Sequence, residues 1–128
     1  LPVDAKLFKA PTWGERKPIV FYGTSITHGA CASRPGMCYP AIIARRLDRP
    51  HFNLGFSGNA LMEPEIAQLL AELDPAVYVV NALPNMQAAL VRERAEKFVQ
   101  ILRAARSFAR MYSVSCRSYI SRAASNAI

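Results

Sequence analysis

Histidine is scarce in this chain, with His28 and His51 the only two among 128 residues. Cysteine is limited to Cys31, Cys38 and Cys116, and no CxxC spacing or histidine cluster accompanies them, so no metal-ligand pattern is present. Three cysteines cannot all pair within one chain. They read either as small buried or idle thiols or as a Cys31–Cys38 disulfide with one thiol left over. No apolar run reaches the roughly 18 residues that a membrane span needs, because Pro, Arg or Asp interrupts each one; a soluble domain with no membrane partner is expected. Acidic residues are also few, 9 against 16 Lys and Arg, and none follows Glu96. The resulting charge of +7 is spread along the chain, over Lys6, Lys9, Arg16 and Lys17, then Arg45, Arg46 and Arg49, then Arg110, Arg117 and Arg122. No basic face interleaved with aromatics emerges, so nucleic acid is not the expected partner. The start at Leu1 shows no charged-then-apolar leader and no methionine, which fits a mature or cut product.

What the chain does have is a 52% hydrophobic content, enough for the core of one small domain. Residues Leu1 to Lys17 mix apolar, basic and Pro/Gly residues without a period and read as a linker or the tail of an upstream module, with Trp13 packing on the domain that follows. Next, Ile19-Val20-Phe21-Tyr22 runs into Gly23, Thr24 and Ser25 and then Gly29, the pattern of a buried parallel strand ending in a tight turn. Ala30 to Tyr39 reads as a loop around Arg34-Pro35-Gly36. Pro40 opens a helix through Leu47, with its apolar residues on one side and Arg45 and Arg46 on the other. A strand over His51 to Leu54 ends in Gly55-Phe56-Ser57-Gly58-Asn59, and a helix from Glu63 to Leu73 is stopped by Asp74-Pro75. The strand Ala76 to Asn81 turns at Leu83-Pro84-Asn85. Gln87 to Arg106 is a long amphipathic helix with Leu90, Ala95, Phe98, Ile101 and Leu102 facing the core. The order is βαβαβα, which predicts an α/β fold with a parallel sheet of the flavodoxin-like, three-layer αβα kind.

In a parallel sheet all strand C-termini share one edge, so the turns bearing Ser25, Gly58 and Asn85 converge there. Each residue also has a plainer role. Ser25 suits the N-cap of the next turn, Gly58 a simple turn, and Asn85 the cap of the helix after it. Arg34, Met37 and Met86 flank the expected cleft, and His28, Arg34 and Met86 are the possible substrate contacts. His28 lies three residues after Ser25, within reach of it on a helical turn, whereas His51 opens a strand at the opposite edge of the sheet.

Gly23-Thr24-Ser25-Ile26-Thr27-His28-Gly29, Asn53-Leu54-Gly55-Phe56-Ser57-Gly58-Asn59 and Leu83-Pro84-Asn85-Met86 together resemble the first three blocks of the SGNH hydrolases, the GDSL esterase/lipase family. Threonine stands at position 24 where many members have aspartate. The resemblance implies a hydrolase of acyl esters that needs no cofactor. Ser25 would be its nucleophile, and the Ser25 N–H, the Gly58 N–H and the Asn85 amide would form its oxyanion hole. That chemistry suits these residue types: glycine lets backbone approach a substrate, and a neutral amide stabilises negative charge without titrating. A small-molecule ester, an acetylated carbohydrate among the options, is the implied substrate.

The resemblance stops before the family's late block, which holds an Asp and a His two residues apart. Residues 18–106 thus read as the N-terminal part of such a domain. Residues 107–128, rich in Ser and Arg and without Asp, Glu, Gly or Pro, form an atypical tail. It fits a reading frame lost after Arg106, or a divergent end that still forms a strand around Met111 to Cys116. Without a late Asp and His the expectation is a hydrolase fragment with little or no activity, its three-stranded sheet exposing an unpaired edge. The alternative is a non-catalytic module that holds a phosphate or sugar with backbone N–H groups at the same turns.

Overall fold

The computed structural model describes residues 5, 6, 8, 9 and 14–114. Trp13, Cys116 and the tail from 115 onward lie outside them, together with what the sequence led us to expect there.

Four apolar residues ending in glycine do form the central strand, β1 (Ile19–Gly23), and every residue of it is buried. A strand covered on both faces needs no polar alternation, which is why this one reads as a continuous apolar run. It is followed by a single turn of helix, α1 (Ser25–His28), and a loop containing the short 3-10 turn Pro35–Met37. Then come α2 (Tyr39–Leu47), β2 (His51–Gly55), α3 (Pro64–Glu72), β3 (Val77–Asn81), a 3-10 turn at Leu83–Asn85, α4 (Ala88–Ala105) and β4 (Arg110–Ser113). Proline in the first turn opens both α2 and α3, where its missing N–H costs nothing. Asp48 closes α2 in the left-handed conformation, its N–H returning to the carbonyls of Ala44 and Arg45.

The strands are all parallel, in the order β2-β1-β3-β4, with Gly23 level with Gly55 and Asn81. This is the expected architecture, extended by one strand. β4 pairs with β3 from Val77↔Arg110 to Val80↔Ser113. The three-stranded sheet expected from the sequence is therefore corrected to four, and the sheet runs past the boundary at Arg106. The strand forms close to where the divergent-end reading put it. Only alternate residues anchor it: Ala109 and Met111 pack on the core, while Arg110 and Tyr112 face outward.

The main core lies between the sheet and the α3–α4 pair. Val20, Tyr22, Tyr78 and Val80 meet Leu70, Phe98 and Leu102 there, and the Tyr22 and Phe98 rings stack with centroids 5.3 Å apart. On the opposite face Phe21 packs edge-on against Tyr39 at 5.7 Å and His51 at 6.3 Å. No helix among the described residues is long and apolar enough to cross a membrane. Cys31 is exposed and Cys38 buried, and both are free thiols; Cys38 Sγ donates to the Pro35 carbonyl at 3.0 Å.

Candidate active site

Ser25 is the first residue of α1, half-buried, at the C-terminal edge of β1. The cap of that turn is Thr24, one residue earlier than the capping role considered for Ser25. Thr24 is fully buried, and its Oγ1 accepts the Ile26 N–H at 3.4 Å. This frees the Ser25 hydroxyl from capping. Gly29 then ends α1 in the left-handed region, with its N–H bonded to the Ser25 carbonyl.

A buried polar network holds the turn from below. Thr27 Oγ1 lies 2.9 Å from the Tyr39 hydroxyl and accepts from Asn81 Nδ2 at 3.4 Å. This ties α1 to α2 and to the end of β3. Thr27, Tyr39 and Asn81 were not singled out from the sequence, although Asn81 carried a signal. A polar side chain closing an apolar strand must find a buried partner. Among the described residues every buried side-chain nitrogen and oxygen has one.

The second turn approaches the first through backbone. Phe56 N–H donates to the Gly23 carbonyl at 2.7 Å, and Gly55 lies so close to α1 that a Cβ there would come 2.1 Å from the His28 nitrogen. Gly58 is exposed at φ +76°, a conformation that favours glycine. The third turn closes on the second, because Asn85 Nδ2 donates to the Asn59 carbonyl. Asn85 does not cap α4, whose N-terminus at Gln87 has no side-chain cap. The Ser25 turn thus joins the Gly58 turn through Gly23 and Phe56, and the Gly58 turn joins Asn85 through Asn59. An Asn amide has two N–H groups, so one remains for a ligand after the bond to Asn59.

The loop after Gly58 is unusual. Ala60 (φ +66°) and Met62 (φ +55°) are both left-handed without being glycine, and both are buried. Such residues cost about 1–3 kcal/mol each and persist where surrounding contacts fix them. Here Tyr22 Oη accepts the Met62 N–H at 3.2 Å and donates to Glu63 Oε2 at 3.2 Å, while the Leu61 N–H donates to the same Glu63 oxygen at 3.1 Å. Burial, opposed by the Met62 N–H and reinforced by the Glu63 carboxylate, pushes the Tyr22 hydroxyl well above the ordinary tyrosine pKa.

The other candidates separate from this constellation. The His28 backbone packs on Gly55, but its side chain is exposed, and no hydrogen bond joins it to Ser25 among the described residues. His51 pairs with Ile19 at the far end of the sheet, as its place at the strand start implied. Arg34 and Met37 are exposed in the loop before α2. Met86, considered as a substrate contact, is only 2% exposed and belongs to the core, so its role is packing. No cluster of three or more His, Cys, Asp or Glu side chains suited to a metal forms among the described residues.

The model of the GDSL-like lipase/acylhydrolase family matches residues 16–115. Among solved structures, the chain is similar to a candidate GDSL-like lipase from Bacteroides ovatus ATCC 8483. The two share 39% identity at a TM-score of 0.74, over 77% of this chain and 29% of that one. It is also similar to AlinE4, an SGNH-hydrolase family esterase, at 18% identity and a TM-score of 0.66, over 81% of this chain and 61% of that one; this likeness is one of fold. The chain therefore spans under a third of the length of the first and about three fifths of the second. No curated protein matches it.

Proposed function

Because this chain belongs to the GDSL-like lipase/acylhydrolase family, we propose that it carries the nucleophile and oxyanion side of a serine ester hydrolase. Ser25 Oγ attacks the ester carbonyl. The Ser25 N–H, the Gly58 N–H and the free N–H of the Asn85 amide hold the oxyanion of the tetrahedral adduct; its C–O bond to the alcohol breaks, the alcohol leaves with the proton, and the acyl-serine that remains is cleaved by water. The observation that carries this reading is the linkage of three strand-end turns at one sheet edge, through Phe56 to Gly23 and Asn85 to Asn59. The substrate class is a small acyl ester, with an acetylated carbohydrate as the narrower reading.

The base that takes the Ser25 proton is not supplied by either histidine. His51 lies at the far end of the sheet, and no hydrogen bond links His28 to Ser25. A general base must come within about 3 Å of its proton. We therefore propose that the base and its orienting carboxylate belong to sequence outside these residues, and that the 128-residue chain hydrolyses esters weakly. An oxyanion hole without its triad retains only about 10³–10⁴-fold acceleration over water. The same feature supports the second reading, a module that holds a phosphate or sugar at these turns without covalent chemistry.

A fluorophosphonate probe with peptide mapping, beside turnover of p-nitrophenyl acetate, tests the proposal. Slow stoichiometric labelling of Ser25, lost in Ser25→Ala, with turnover confined to that residual range, is expected. An unlabelled Ser25 in a chain that binds inorganic phosphate or a monosaccharide at the turns would replace the hydrolase reading with the binding one.

A further inference from the structure

Resting on the assignment of Gly58 to the oxyanion hole, we propose that Tyr22 and Glu63 act as a positioning clamp that sets the direction of the Gly58 turn. Neither residue touches the reacting atoms. Tyr22 is rooted in the fully buried central strand two residues before Thr24, with its ring stacked on Phe98, so it is a fixed point of the fold. From that point its hydroxyl takes the Met62 N–H and gives its own proton to Glu63, whose Oε2 also takes the Leu61 N–H. Three bonds close a ring through residues 61–63. Arg94 Nη1 adds a fourth contact, donating to the Leu61 carbonyl at 3.4 Å.

The strained loop gives this ring its purpose. Gly58, Ala60 and Met62 alternate in the left-handed region, so a relaxed backbone would leave that path. The ring holds its C-terminal end, Asn85 holds Asn59, and Phe56 holds the N-terminal end on Gly23. Gly58 lies between these anchors with no side chain of its own to fix it. Loosening the ring thus swings the Gly58 N–H while the sheet stays intact. Misplacement by about 1 Å is enough to lose most of a catalytic contact.

The test uses the full 128-residue chain with Tyr22→Phe, Glu63→Ala and Glu63→Gln. Glutamine keeps an acceptor oxygen for both donors, so it is the rescuing variant. Amide hydrogen exchange is read at Phe56 and Asn59, which bond to neither clamp residue, and at β1 and β3 as controls. About tenfold faster exchange at Phe56 and Asn59 in the Phe and Ala variants, near-normal exchange in the Gln variant and unchanged β1 and β3 are expected. Phe56 and Asn59 exchanging alike in all variants, or β1 and β3 accelerating as much, overturns the clamp. The second readout is the rate of Ser25 labelling by a fluorophosphonate, expected to fall about tenfold with Tyr22→Phe and Glu63→Ala and to recover with Glu63→Gln. A loosened turn with unchanged labelling also overturns it. If the unsubstituted chain is not labelled at all, the hydrolase reading fails, and the exchange pattern alone decides whether the clamp sets the turn.

Discussion

Two glycines that look alike in the sequence carry different loads. At Gly55 an added Cβ would meet the backbone of α1 at 2.1 Å, and backbone cannot yield as a side chain can. Gly55→Ala is expected to destabilise the chain by about 3 kcal/mol, the upper part of the range for overpacking. Gly36→Ala, whose nearest neighbour is the flexible tip of Arg45 at 3.7 Å, is expected to be nearly silent. Urea denaturation of both variants checks the contrast. Tyr22 and Tyr78 supply a second prediction. Both hydroxyl pKa values lie above the ordinary tyrosine value of about 10, chiefly through burial. A phenol is neutral when protonated, so the folded state holds these protons more tightly than the unfolded one. The stabilisation is complete below about pH 10 and is lost as pH rises through the raised values. Urea midpoints measured from pH 8 to 11 should fall at the alkaline end, and Tyr22→Phe should flatten that fall. At this scale the sequence singled out Ser25, Gly58 and Asn85 by their place at strand ends and their likeness to the family's blocks, each with a capping or turn role open beside it. It did not announce Tyr22, whose hydroxyl finds its partners 40 and 41 residues away.

Helices and inner strands were legible because their periodicity reports burial directly. The boundaries of α2, α3 and α4 fall within one residue of those read from the pattern, and Phe98 and Leu102 are fully buried as the α4 periodicity required. β4 was not legible. Its alternation spans only Ala109 to Tyr112, too short to stand out in the sequence, and its order comes from the ladder that β3 offers. Stability follows the same division. Phe98 stacks on Tyr22 at the centre of the α3–α4 core, so Phe98→Ala is expected to remove about 3–5 kcal/mol. Against the 5–15 kcal/mol that holds a typical domain, this is a large share, and thermal melting should show a midpoint lowered by roughly 10 °C or more.

At the level of the whole molecule, cover over the sheet is uneven. Phe21, Val79 and Tyr112 share one rung and one face. Phe21 is fully buried beside Tyr39 at the start of α2, Val79 is half-buried, and Tyr112 is 54% exposed. Among the described residues, cover on that face therefore thins from β1 toward β4, whereas α3 and α4 seal the other face. A sheet that buries one face and bares part of the other presents a flat apolar surface next to an open strand edge, and such a surface takes up apolar dyes and promotes association. The chain is expected to enhance the fluorescence of 8-anilinonaphthalene-1-sulfonate in its folded state and to scatter more light as concentration rises. Tyr112→Lys should reduce both effects with little change in the urea midpoint, because Tyr112 contributes little to the core. Undiminished dye binding in Tyr112→Lys would place the apolar surface elsewhere, for instance in the groove of about 280 Å³ between β2 and α3 lined by Phe52, Phe56 and Leu69. No dye binding at all would mean that chain outside the described residues covers the face.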